Sequence, residues 1–158
     1  MWKKAAAGFL LLLGLAAGAG ADRYDLLRVS GSVEPKRMRR GQEGVLRLRF
    51  RVEPGIRILS QPDFKIEITS SDALSFPKAF YSASDLEMTI VEEEGREYLD
   101  MSAGVGIPCT VKLEARSGNH VVRGRVKYFG CDREDGWTMK NKTRFSASFY
   151  SSSRVYRR

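Results

Sequence analysis

Three residues have the chemistry to act as nucleophiles or soft ligands: Cys109, Cys131 and the single histidine, His120. Cys131 is the one whose setting points to reactivity. The stretch 126–137, VKYFGCDREDGW, reads as an apolar-aromatic strand running into a tight polar loop. A sulfur at such a corner is positioned by the sheet and reachable from solvent. A dithiol centre needs a second sulfur close by, and Trp137 stands where one would be expected. Cys109 follows Ile107-Pro108 in an apolar strand, where a thiol behaves as a small buried hydrophobe.

The spacing keeps these groups apart. Ser117-Gly118-Asn119 reads as a hairpin turn between strands at 109–115 and 121–128. Cys109 then faces Val126 or Lys127, and Cys131 lies roughly 13–17 Å further along at strand rise. A disulfide needs Cα atoms within about 7 Å, so both thiols are expected to be unpaired. His120, at the turn end of the same strand, is about 35 Å of extended chain from Cys131. That rules out a Cys-His nucleophilic pair. A blue-copper site built on Cys131 and Met139 would need two histidines, and structural zinc would need more ligands than are present. No metal and no cofactor are expected.

The elements that would hold Cys131 are strands. Leu46, Leu48, Phe50 and Val52 alternate with Arg47, Arg49 and Arg51, the period-two signature of a half-buried strand. Residues 26–33, 56–59, 64–68 and 143–150 also read as strands, the last with Phe145, Ala147 and Phe149 facing one way. Residues 86–91 and 98–101 flank Glu92-Glu93-Glu94-Gly95, an acidic hairpin turn, and residues 73–85 read as a long loop. No segment after residue 22 carries a helical period. About eight short strands with regular turn signals predict an all-β, immunoglobulin-like antiparallel β-sandwich.

The N-terminus points to export. Lys3 and Lys4 precede an apolar stretch over residues 5–15, and Ala19-Gly20-Ala21 matches a cleavage site. The predicted organisation is a signal peptide at 1–21, a sandwich domain at 22–150 and a basic disordered tail at 151–158. Cleavage after Ala21 leaves 137 of the 158 residues and lowers the net charge from +8 to +6. That length suits one domain with its own core. The basic surplus allows attraction to anionic surfaces, through Arg47, Arg49, Arg51 and the 154–158 tail. No aromatic-basic stripe organises the charge, so nucleic acid is not an expected partner, nor is a membrane surface. Asn141-Lys142-Thr143 forms a glycosylation sequon.

Residues 122–149 resemble the N-terminal domain of the thiol:disulfide interchange protein DsbD family. Gly124-Arg125-Val126-Lys127-Tyr128 looks like the family's strand leading into its active loop, and Gly130-Cys131-Asp132 like the first redox cysteine with its neighbours. The closing strand at 143–149 follows at the matching interval. Upstream, Arg40-Gly41-Gln42-Glu43-Gly44, Gly55-Ile56-Arg57-Ile58 and Pro62 also look like family positions. The resemblance implies a periplasmic, immunoglobulin-like domain and a thioredoxin-like or other disulfide-handling partner. It also implies two cysteines in one loop, and here Trp137 takes the place of the second. Exchange through a mixed disulfide needs a resolving thiol, so a lone Cys131 does not cycle by itself.

Together these readings predict a periplasmic or secreted protein-binding module that has lost dithiol electron transfer. Its partner would be another exported protein, met at a loop carrying Asp132, Arg133 and Trp137. Two alternatives stand beside it: a single-thiol redox protein acting through Cys131, and a basic module binding an anionic surface.

Overall fold

Alternating burial along the chain decides which faces meet. The computed structural model describes residues 25–62 and 64–155; the leader expected at 1–21 lies outside them. The strands are β1 (Leu27–Glu34), β2 (Arg37–Arg40), β3 (Glu43–Val52), β4 (Ile56–Ile58), β5 (Lys65–Ser70) and β6 (Leu74–Ser75). There follow β7 (Phe80–Ser82), β8 (Ile90–Glu93), β9 (Arg96–Leu99), β10 (Val105–Val111), β11 (Gly118–Asp132) and β12 (Thr138–Val155). The first sheet has the order β1-β3-β10-β6 and the second β2-β12-β11-β5-β7, with β4 also on β11. The hairpin β8–β9 continues from β4 through one bridge, Leu59 to Tyr98.

The fold is an all-β, immunoglobulin-like β-sandwich, as the alternation predicted. Leu27, Val33, Leu46, Leu48, Ile107 and Val111 from the first sheet meet Ile66, Val122, Val126, Tyr128, Phe145 and Phe149 from the second, all buried. Arg47, Arg49 and Arg51 point to solvent. Gly31 lets the sheets close at one side: a Cβ there would sit 3.1 Å from the Ser146 carbonyl oxygen on β12. The acidic hairpin forms where expected, with Glu94 (φ 53°) and Gly95 (φ 75°) as a two-residue turn, both left-handed as such a turn requires.

Three expectations change. Twelve strands are present among the described residues rather than about eight, because β2, β6 and β7 are too short to carry a periodic signal. Two of these, β6 and β7, lie in the stretch read as a long loop. Strands β10 and β11 do not form a hairpin. β10 pairs with β3 and β6, β11 pairs with β12, β5 and β4, and the connection crosses from one sheet to the other. Period-two alternation fixes a strand's faces but not its neighbours. Finally, the boundary expected at residue 150 falls inside β12. That strand continues to Val155, where β2 pairs with it in parallel, and Ser151 is fully buried.

Candidate functional site

Cys131 is held inside a strand. β11 is paired on both sides at this point: Cys131 lies opposite Arg57 of β4 and Thr138 of β12. Alternation along β11 sends Val122, Gly124, Val126, Tyr128 and Gly130 into the core. Cys131 therefore points to the outer face of the second sheet. It is nevertheless only 3% exposed. Arg96, carried by β9, covers it, donating from Nη1 to Sγ at 3.8 Å, and the thiol contacts the Asp132 carbonyl oxygen at 3.6 Å. The expected accessible corner is thus corrected: the ladder runs one residue past the sulfur, and the hairpin closes over it. In-line attack on a disulfide needs an approach to the sulfur that this packing denies.

The loop after Cys131 is locally ordered. Asp132 Oδ1 accepts from the backbone N–H groups of Glu134 and Asp135, both at 2.8 Å, an Asx-type turn. The Asp132 N–H donates to the Trp137 carbonyl oxygen, and the Gly136 N–H to that of Asp132. Trp137 is half-buried against the core. Arg133 is exposed, with Nη2 3.6 Å from Glu93, which Arg57 also holds through two 3.3 Å contacts.

Cys109 belongs to the other sheet, opposite Gly44 of β3. Both cysteines are free, in accord with the expectation of no bridge. Burial pushes the Cys109 thiol up to about 11, which leaves it protonated at neutral pH. His120 sits far along β11, stacked on Phe149 with ring centroids 5.4 Å apart. Its Nε2 is 2.7 Å from the Arg116 carbonyl oxygen. Among the described residues, no group of three or more His, Cys, Asp or Glu is arranged to hold a metal ion.

The end of the sandwich near Cys131 carries an open cleft of about 270 Å³. Val52, Ile56, Ile58 and Met101 give it an apolar lining, with Arg57, Glu93 and Asp100 among the polar groups. The hairpin at this cleft exposes Ile90 (52%) and Val91 (39%). Glu92, Glu94, Glu97, Glu134 and Asp135 surround this end and are exposed. Ser60 Oγ donates to Glu97 at 3.3 Å, and the Ser60 N–H to the Glu97 carbonyl oxygen, so backbone anchoring of the hairpin is concentrated near Tyr98 while side chains hold Glu93 and Arg96.

Sequence reasoning missed a second surface. On the outer face of the second sheet, Arg123, Arg125 and Lys127 of β11 stand beside Lys140, Lys142 and Arg144 of β12. Phe129 and Phe80 lie on the same face, beneath Lys140 and Lys65 at 5.7 and 4.9 Å. Basic and aromatic residues are therefore organised together, contrary to the sequence reading. The available signal was the period-two repeat of cations in 123–127 and again in 140–144. The arginine row singled out instead lies on the first sheet, with Arg47 paired to Glu34.

No protein-family model matches the chain, and no curated protein matches it in sequence. Similar solved structures include the seventh ScaB type I cohesin from Pseudobacteroides cellulosolvens, 16% identical with a TM-score of 0.46, covering 81% of this chain and 94% of that one. A second is the type I cohesin–dockerin complex Coh-OlpA-Doc918 from Clostridium thermocellum, 14% identical with a TM-score of 0.38, covering 78% and 99%. Likeness at this level carries no functional argument. The DsbD resemblance is corrected: no family model or sequence relative supports it, and the two solved structures named here are cohesins, not DsbD N-terminal domains. Cys131 also lacks the exposed loop position that the resemblance implied. A DsbD-like thiol–disulfide function goes with it.

Proposed function

We propose that the chain is a non-catalytic, exported protein-binding module whose partner docks at the hairpin-capped end. The observation that carries this reading is the exposure of Val91 on a two-stranded hairpin, where it lines an apolar cleft, with Ile90 exposed on the hairpin's other face. An exposed branched side chain lining a pocket is the anatomy of a docking surface: an anchor from the partner fills the cleft and a polar rim excludes water. The rim here is acidic, so the partner presents an apolar anchor flanked by basic groups. Asp132 shapes the adjoining loop, Arg133 fixes Glu93, and Trp137 supports the loop from below. Cys131 is structural in this reading, a thiol filling space under Arg96.

Site-specific photo-crosslinking tests this in the source cells. A photoreactive residue at Val91 is expected to give one discrete adduct, abolished by Asp100→Lys in the lining of the cleft. The same residue at Leu113, exposed at 65% and on the β10–β11 connection, should give none. No adduct at Val91, or equal adducts at both positions, would sink the proposal.

A further inference from the structure

We propose that the outer face of the second sheet, built on Arg123, Arg125, Lys127, Lys140, Lys142 and Arg144, docks an extended acidic segment of a partner protein carrying carboxylates at alternate positions. This surface is argued independently of the hairpin end, and neither reading requires the other.

The register assembles the face. Lys127 lies directly opposite Lys142, Arg125 opposite Arg144, and Lys65 of β5 opposite Lys127. Like charges placed directly across a ladder oppose folding, yet two such rows occur side by side. One acid moderates them: Glu67, opposite Arg125, accepts from Arg125 Nε and from Lys127 Nζ at 2.7 Å. Among the described residues, Arg123, Lys140, Lys142 and Arg144 have no ion-pair partner. Lysines on an edge strand protect it from edge-to-edge aggregation, and that accounts for Lys140 and Lys142. It does not account for three cations on the central strand β11, which has no free edge.

The occupant follows from geometry. Same-face residues repeat every ~6.8 Å along a strand, so Lys140, Lys142 and Arg144 form a cationic row with that period. An extended peptide with acids at every second residue carries carboxylates at the same period. On the side away from β11, β12 is hydrogen-bonded to β2 only from Tyr150 onward. Thr138 to Lys142 pair with β11 alone, but β1 packs beside β12, so the peptide is held on the face by its charges rather than by strand addition. An open hollow of about 670 Å³, lined by Thr69, Arg123, Arg125, Arg144 and Ser146 among others, offers guanidinium groups to a carboxylate at one end of the row. A single-stranded nucleic acid would need bare aromatic faces for base stacking. Phe129 lies under Lys140, and Phe80, 55% exposed beside Lys65, offers a single open ring where tracking a strand needs successive ones.

Fluorescence anisotropy on the full chain tests the match. The probes are a labelled peptide of about twelve residues alternating glutamate and threonine, a peptide of the same composition with its glutamates in one block, and an oligonucleotide of equal charge. The alternating peptide is expected to bind about tenfold more tightly than either comparator. The double change Lys142→Glu with Arg144→Glu should weaken it by about tenfold or more, because several exposed charge pairs are removed together. Arg123→Glu should weaken it less. Arg49→Glu on the opposite sheet should leave it unchanged, and circular dichroism should show every variant folded. Equal binding of the blocked peptide or the oligonucleotide would overturn the proposal, as would an equal loss from Arg49→Glu.

Discussion

The outer face of the second sheet and the hairpin-capped end carry opposite charge on supports of very different stiffness. On the face, cations ride on β11 and β12, whose register is continuous from Gly118 with Ser151 to Cys131 with Thr138. At the end, acids and the exposed Ile90 and Val91 ride on a hairpin with a single backbone bridge to the body, held otherwise by side-chain contacts such as Arg57–Glu93 and Arg96–Cys131. A rigid ladder fixes the spacing between charges and so selects a ligand by period. A hairpin held largely through side chains shifts more readily than a continuous ladder. The two proposed modes of recognition require that difference in local stability.

Breaking the rigid member of the pair should have the largest effect. Gly124 lies opposite Phe145, and a Cβ there would meet Phe145 Cζ at 2.3 Å and the Glu67 carbonyl oxygen at 2.6 Å. The ring and a neighbouring strand's backbone both occupy the space. Gly124→Val is expected to cost about 3 kcal/mol and to lower the melting temperature by roughly 10 °C. Gly95→Ala, at the hairpin turn with φ 75° and open space around it, should cost only about 1 kcal/mol of backbone strain. Thermal melts of the two variants compare the regions directly. Equal losses would remove the distinction between a stiff face and a loose end.

The two thiols sharpen the same comparison at intermediate size. Cys131 is covered by Arg96 from the hairpin, whereas Cys109 is enclosed between the sheets. Opening the hairpin alone should expose Cys131, while Cys109 should await global unfolding. In native protein at pH 8, Cys131 is expected to react with a thiol reagent at least about tenfold faster than Cys109, whose thiol burial pushes up to about 11. Tyr98→Ala, which removes the buried ring seating the hairpin on the body, should accelerate Cys131 by about another tenfold and leave Cys109 unchanged. Mass spectrometry of timed aliquots reads both sites. Parallel rates would show that hairpin and body open together.

The sequence foretold faces well and neighbours poorly. Leu46, Leu48, Phe50 and Val52, and likewise Phe145, Ala147 and Phe149, point inward as their alternation required, because side-chain period is a local property. The turn at Glu94-Gly95 was equally legible, since two left-handed residues leave few alternatives. Pairing is long-range, so β10 and β11 passed for a hairpin when they belong to different sheets. Cys131 passed for a reachable corner because the residues that bury it, Arg57 and Arg96, come from β4 and β9. The basic face escaped for the same reason. Each cation row looks like an ordinary solvated strand face until register sets Lys127 against Lys142 and Arg125 against Arg144.

The smallest expected effect is also the one in which stability and binding should move in opposite directions. Hydrogen bonds from Lys127 and Arg125, aided by their positive charge, hold the Glu67 carboxyl below its usual range. A carboxylate whose folded value is depressed contributes stability above its unfolded value near 4.3. That contribution disappears as pH falls through the lower folded value. Being a partly solvated surface network, it amounts to less than about 1 kcal/mol. Glu67→Gln should therefore destabilise the protein slightly at pH 7, and the deficit should shrink on acidification toward pH 3. The same change leaves the cations of the face without their moderating acid, so affinity for the alternating acidic peptide should rise about two- to threefold. Denaturant titrations at pH 7 and pH 3, run beside the anisotropy assay, measure both signs. If stability and affinity fell together, Glu67 would be organising the cations for the ligand rather than restraining them.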